Sequence, residues 1–232
     1  MKAIISGATS GIGNAIALML AREGWELAVI SRNEGRLNDL MQELNEAGLQ
    51  PHISFTGDLS KREDALAFAE IIHKKWAMPD LIINGAGEYE TGDVSALTEE
   101  DINDALAVNF YSAFRLTSPW IGTFKQNQKG CVIFISSVVV NHPRKLAAAY
   151  SLSKTMLDTY AVLLADELRD SGVKVSRILP GSVSTPSWDG IDIPRDQLVQ
   201  ANEIAAAVKM IIELRPGSWL EEITLRPLNR NL

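Results

Sequence analysis

Ala3-Ile4-Ile5-Ser6-Gly7-Ala8-Thr9-Ser10-Gly11-Ile12-Gly13 begins as a short apolar run, passes through small residues and glycines, and leads into Asn14-Ala15-Ile16-Ala17-Leu18. The order reads as strand, tight turn and helix. Gly7 permits the turn, Gly11 lets backbone approach a pyrophosphate, and Gly13 lets the helix pack on the strand. The helix N-terminus offers unpaired N–H groups to an anion, so a dinucleotide fits there, against Thr9, Ser10 and Ile12 as well as the glycines. The spacing is Gly-x-x-x-Gly-x-Gly and differs from the commoner Gly-x-Gly-x-x-Gly.

Beyond this turn, strand and helix alternate without repeats or low-complexity segments. Gly24 stops the first helix, Leu27 to Ile30 forms a second strand, and Leu37, Leu40, Met41 and Leu44 recur at helical spacing before Gly48. Strands are expected over His52 to Phe55, Asp80 to Ile83, Val132 to Ile135, Val173 to Leu179 and Glu222 to Leu225. Helices are expected through Ala65, Phe68, Ile71 and Ile72, over Glu99 to Lys125, over Ala147 to Ser171 with Gly172 as its stop, and over Glu203 to Leu214. This alternation predicts an α/β fold, a doubly wound parallel sheet of about seven strands with helices on both faces. At 232 residues and 46% hydrophobic content the chain reads as one domain over 1–232 with a sizeable core.

Three further motifs carry chemistry. Asn84-Gly85-Ala86-Gly87 follows the apolar run Leu81-Ile82-Ile83, and small side chains at a strand's carboxyl end let a flat ligand lie against the backbone. Tyr150 and Lys154 stand four residues apart in Ala-Ala-Tyr-Ser-Leu-Ser-Lys, with Ser137 thirteen residues before the tyrosine. On a helix that spacing puts phenol and ammonium on one face, where the lysine charge would favour phenolate and pull the tyrosine pKa down toward neutrality. The plainer reading of such a pair is a solvated helix face. Pro180-Gly181-Ser182-Val183-Ser184-Thr185-Pro186, after the strand ending at Leu179, would by itself be a rigid loop.

Together these four motifs resemble the classical short-chain dehydrogenase/reductase family, from Lys2 to about Leu225. The resemblance implies a single Rossmann-type domain with a short substrate loop at about 186–200. It also implies a catalytic group of Asn109, Ser137, Tyr150 and Lys154, with Ser137 preferred over Ser136 by its spacing from the tyrosine. The same comparison implies cofactor contacts from Asp58 and Leu59, from Asn84, Ala86 and Gly87, from Asn109, Tyr150 and Lys154, and from Pro180, Gly181, Val183 and Thr185. The second Asn of the family's Asn-Asn-Ala-Gly is Gly85 here, and Arg226-Pro227-Leu228-Asn229 replaces the usual Asp-Gly-Gly ending. The implied reaction is hydride transfer between a nicotinamide cofactor and a carbonyl compound. Tyr150 would be the general acid/base, Ser137 would polarise the substrate oxygen, Lys154 would hold the nicotinamide ribose, and Asn109 would position a water.

Cofactor choice is read at the end of the second strand, where an acidic residue would grip the 2′-hydroxyl of NAD. Ser31-Arg32-Asn33 stands there instead, so NADP(H) is preferred, with NAD(H) possible; Ser10 brings no second cation. Glu88, Val139 and Trp188 flank the expected site as substrate residues, and His142 lies nearby as either a substrate or a surface residue. The alternatives are an NAD-preferring dehydrogenase, a regulatory module that binds NADP without turnover, and a sugar-nucleotide epimerase or dehydratase. The second would be expected to lose the tyrosine or lysine, and the short region after Pro186 leaves the third little room. A net charge of −7 argues against a nucleic-acid surface, and the histidines at 52, 73 and 142 lack the spacing of a metal site. No apolar run approaches the roughly eighteen residues that span a bilayer, so a cytoplasmic chain without membrane contact is expected. The single cysteine, Cys131, reads as a strand residue. The family resemblance further implies a homodimer or homotetramer through the long helices near 99–125 and 147–171.

Overall fold

Both faces of β1 (Lys2–Ser6) are dry: Ala3 and Ile5 enter one core and Ile4 the other, all with no exposed surface. A strand buried on two sides belongs in the middle of a sheet with helices above and below. The computed structural model, which describes residues 1–47 and 52–229, has that arrangement. In chain order the next elements are α1 (Gly11–Arg22), β2 (Glu26–Ser31), α2 (Glu34–Ala47), β3 (Ile53–Thr56), α3 (Arg62–Lys75) and β4 (Leu81–Asn84). There follow α4 (Glu99–Leu106), α5 (Ser112–Asn127), β5 (Cys131–Ile135), α6 (Ala148–Leu168) and β6 (Lys174–Pro180). The described chain ends with β7 (Val183–Ser184), β8 (Val199–Gln200), α7 (Ala201–Glu213) and β9 (Glu222–Leu225).

The main sheet has seven strands, all parallel, in the order β3-β2-β1-β4-β5-β6-β9. Ile16 and Leu20 of α1, Leu37 and Leu40 of α2, and Ile204 and Val208 of α7 cover one face. Phe68 and Ile72 of α3, Trp120 and Phe124 of α5, and Leu157 and Leu164 of α6 cover the other. The chain winds outward from β1 to β3, then returns to place β4 on the far side of β1. That reversal opens a crevice at the carboxyl ends of β1 and β4. The expected α/β architecture is therefore found. Among the described residues, no helix is long and apolar enough to cross a membrane.

Local differences have physical causes. The helix expected as one piece over Glu99 to Lys125 is interrupted by a π-helical turn at Ala107–Tyr111, which carries Asn109 into the interior. π-bulges of this kind cluster at functional sites. β3 starts at Ile53, and His52 uses its ring Nδ1 to accept from the Leu27 main-chain N–H at 3.1 Å. The final turn of the 147–171 helix tightens to 3-10 geometry before Gly172, in left-handed conformation at φ 66°. Strands β7 and β8 were not expected, since two residues each are too short for any periodicity. Gly48, expected to end the second helix, lies outside the described residues.

Candidate active site

The crevice at the switch point is a cleft of about 540 Å³. Its floor is the glycine turn, and Gly7 is required there by backbone geometry. Its φ is 72°, and a Cβ would stand 2.6 Å from the Gly85 carbonyl oxygen. Ser6 Oγ accepts from the main-chain N–H groups of both Gly85 and Ala86 at 3.1 Å, which ties the turn to the end of β4. Thr9 Oγ1 lies 3.3 Å from Ser31 Oγ and joins the turn to β2. Ser10, Gly11, Ile12, Gly13, Ser31, Arg32, Asp58, Leu59, Ala86 and Gly87 also line the cleft.

The far end of the cleft contains Ser137, Tyr150 and Lys154. Ser137 ends the segment after β5, and its hydroxyl accepts from Val139 N at 3.3 Å, which orients it. Tyr150 lies in the first turn of α6, where Tyr89 stands edge-on to its ring at a centroid distance of 4.9 Å. Lys154 is one turn further along and buried, with Nζ donating to Ile135 O at 3.0 Å and 5.9 Å from the centre of the Tyr150 ring. Burial pulls the lysine pKa down to about 8.

The expectation that Lys154 draws Tyr150 toward neutrality needs correcting. Burial of the phenol is the largest influence and raises its pKa, against smaller downward pulls from the Ser137 hydroxyl and the Arg144 charge, while Tyr89 adds to the rise. The tyrosine is held as a neutral phenol.

Two expected cofactor residues lie away from the main cleft. Asn84 is buried and donates to Thr117 Oγ1 at 2.9 Å, bracing β4 against α5. Asn109 borders a smaller adjoining cavity of about 220 Å³ that Tyr150 and Glu88 also line. Its Oδ1 accepts from Glu88 N at 2.9 Å, and its Nδ2 donates to Glu88 O at 3.1 Å and Ser153 Oγ at 3.0 Å. With both N–H donors committed, this amide clamps the Glu88 backbone, and its side-chain N–H groups are not free to hold a water.

Glu88, expected as a substrate residue, lines the cleft and forms an ion pair with Arg32. Val139 and Trp188 line the cleft. His142 is on the surface and outside the lining. Pro180, Gly181, Val183 and Thr185 form the wall after β6. The segment beyond them is tied by Arg195, which donates to Ser184 Oγ at 3.1 Å and Thr185 O at 2.7 Å and pairs with Asp189 at 3.2 Å. Burial pushes the Cys131 thiol up to about 12, which disfavours the reactive thiolate.

Arg144 was missed as a lining residue, and so was Ser6 as a support of the floor. Arg144 stands between Ser137 and Tyr150 in sequence, a position that could have signalled it; a strand-end serine carries no comparable signal. The cleft fits a nicotinamide dinucleotide: the floor leaves no room for a Cβ at Gly7, and the Arg32 guanidinium, the Lys154 ammonium and the Tyr150 phenol all line it. The buried Ser136 Oγ in its wall has no hydrogen-bond partner among the described residues.

Residues 1–195 match the family described as short chain dehydrogenase. The chain is 27% identical to diacetyl reductase [(S)-acetoin forming] of Staphylococcus epidermidis, covering 94% of this chain and 86% of that one. It is 28% identical to sepiapterin reductase of Chlorobaculum tepidum, covering 99% and 97% of the two chains. Among solved structures, an alcohol dehydrogenase from Thermococcus sibiricus complexed with 5-hydroxy-NADP superposes with a TM-score of 0.89 at 26% identity, over 98% of this chain and 96% of that one.

Proposed function

This chain belongs to the short-chain dehydrogenase family of oxidoreductases, and from that premise we propose that it interconverts a carbonyl compound and a secondary alcohol with NADP(H), using Tyr150 to move the proton. The observation that carries this reading is a single cleft that runs from the glycine turn to Ser137, Tyr150 and Lys154. When bound, the dinucleotide supplies the hydride. Ser137 and Tyr150 hold the substrate oxygen between two hydroxyls, and the phenol donates its proton as negative charge develops there. A phenol raised by burial is protonated at neutral pH, which suits carbonyl reduction better than alcohol oxidation. Lys154 spends one N–H on Ile135 O and keeps two for the nicotinamide ribose. Asn109 acts through Glu88 and Ser153, fixing the wall beside the phenol.

The reading takes 1–232 as one dinucleotide-binding unit whose segment 186–200 closes over substrate, with Val139 and Trp188 as apolar contacts. The names of the relatives make diacetyl and sepiapterin the first carbonyls to try, followed by other ketones, aldehydes and β-ketoacyl thioesters. NADPH consumption, with NADH in parallel, tests the proposal, and no turnover across the panel in either direction would defeat it.

Arg32, at the end of β2, is read as the group that takes the 2′-phosphate. Arg32→Ala is expected to weaken NADPH binding by about 1.5–3 kcal/mol, the worth of a hydrogen bond to a charged group, and to leave NADH nearly unaffected. Titration of both cofactors decides it, and equal losses would remove Arg32 from the phosphate site.

The same reading makes the protein a homodimer or homotetramer. Its support is a row of uncovered apolar side chains on the two long helices: Tyr111 and Phe114 near the start of α5, and Leu152, Met156 and Leu163 on α6, the last 64% exposed. Sedimentation should give a mass at least twice that of the chain, and a monomer at micromolar concentration would refute it. A cytoplasmic setting is supported by a fold that uses no disulfide, and cell fractionation would check it.

A further inference from the structure

The Arg32–Glu88 ion pair has no task in the chemistry above. Arg32 follows β2 and Glu88 follows β4, and β1 with its glycine turn lies between those two strands in the sheet. The pair therefore bridges the crevice above the carboxyl end of β1, over the floor that would receive the cofactor's phosphates. Glu88 is not a loose rim residue, because the buried Asn109 amide holds its main-chain N–H and C=O together. Its carboxylate is presented to Arg32 from a fixed backbone. Both side chains are about half exposed, at 56% and 45%, so the bridge itself is cheap to open.

We infer that Glu88 sets how strongly this site discriminates NADPH from NADH, by competing with the ribose 2′-phosphate for Arg32. The inference rests on the dinucleotide reading proposed above. A 2′-phosphate can engage the guanidinium fully only when Glu88 releases it, and the released carboxylate then stands near a group of like charge. A 2′-hydroxyl makes neither demand. The Arg32–Glu88 pair can persist above it, and a carboxylate can accept from it. Glu88 thus holds down the affinity for the phosphorylated cofactor while sparing the other, and the two cofactors lie closer in affinity than Arg32 alone would set them.

The test is a set of fluorescence titrations of NADPH and NADH against the full chain, Glu88→Gln, Arg32→Ala and the double variant. Glutamine keeps the main-chain clamp and removes only the charge. Glu88→Gln is expected to tighten NADPH about tenfold, the scale of one good charged hydrogen bond, and to raise the Kd ratio of NADH to NADPH by a similar factor. Arg32→Ala should then cost more NADPH affinity in the Glu88→Gln background than in the native one, a coupling the cycle reads directly. Weaker NADPH binding by Glu88→Gln, or equal shifts for the two cofactors, overturns the inference. A native chain that binds neither dinucleotide defeats the proposed function itself. A native chain that binds NADPH, with the ratio unmoved by Glu88→Gln, defeats only the competition.

Discussion

Tyr150→Phe is expected to lower turnover by about 10²–10⁴-fold, the range of a lost general acid, while NADPH affinity stays within about threefold, under the ~1 kcal/mol of an ordinary hydrogen bond. The substitution removes one oxygen and keeps the ring, so the edge-on contact with Tyr89 at 4.9 Å survives and the cleft retains its shape. What is lost is the proton that the buried phenol holds through neutral pH. Ser137 loses its contact with the phenol but keeps the hydrogen bond from Val139 N, which still orients its hydroxyl. Steady-state rates and cofactor titrations on the same preparation separate the two effects. Turnover equal to that of the native chain would remove Tyr150 from the proton step.

Lys154→Met should make the cofactor-free chain more stable at neutral pH even as it impairs catalysis. Burial lowers the lysine pKa in the folded chain from 10.5 to about 8, whereas the unfolded chain keeps the ordinary value. Below about pH 8 the amine is protonated in both states, and the folded chain bears the whole cost of a buried charge, on the order of 3 kcal/mol for a shift of this size. Between about pH 8 and 10.5 the unfolded chain binds more protons than the folded one, so native stability rises with pH through that window. Methionine removes the charge and also the hydrogen bond to Ile135 O, worth about 1 kcal/mol. The expected net gain at pH 7 is therefore about 2 kcal/mol, shrinking toward zero or below as pH approaches 10.5. Urea unfolding of both chains at pH 7 and pH 10 reads this difference, and a gap that does not change with pH would contradict it. A lysine kept at such a cost fits a site in which function opposes stability.

The outline of the fold was legible because its signals are local. An apolar run, a glycine turn and a helical repeat each occupy one stretch of chain, and seven such runs in alternation leave few topologies open. The spacing of Ser137, Tyr150 and Lys154 was legible for the same reason, since one helix and one strand end carry all three. What escaped depends on segments far apart in sequence. Glu88 reads as a rim acid until Arg32, across β1, is seen to meet it, and the bonds from the Asn109 amide to Glu88 and Ser153 join stretches too far apart in sequence to be read from spacing. The sign of the Tyr150 shift escaped because charge proximity can be guessed from four-residue spacing, whereas the depth of burial that outweighs it depends on the whole cleft. Arg144 illustrates the opposite case, a surface-type residue brought to the cleft by a turn with no periodicity of its own.

Strands β7 and β8 matter beyond their length. Val183 pairs with Val199, and Val199 N donates to Ser182 O at 3.1 Å, so the chain leaves the sheet and comes back at a single neck. Gln200 Nε2 donates to Arg195 O at 2.9 Å and reinforces that closure. A loop whose ends are already joined can be lengthened at little cost, since each doubling adds only about 0.6 kcal/mol of closure entropy. On the function proposed above, the segment beside the cleft is thus an exchangeable cassette: sequence drift or grafting between Thr185 and Leu198 would alter which molecules are admitted, while the seven-stranded sheet beneath remains as it is.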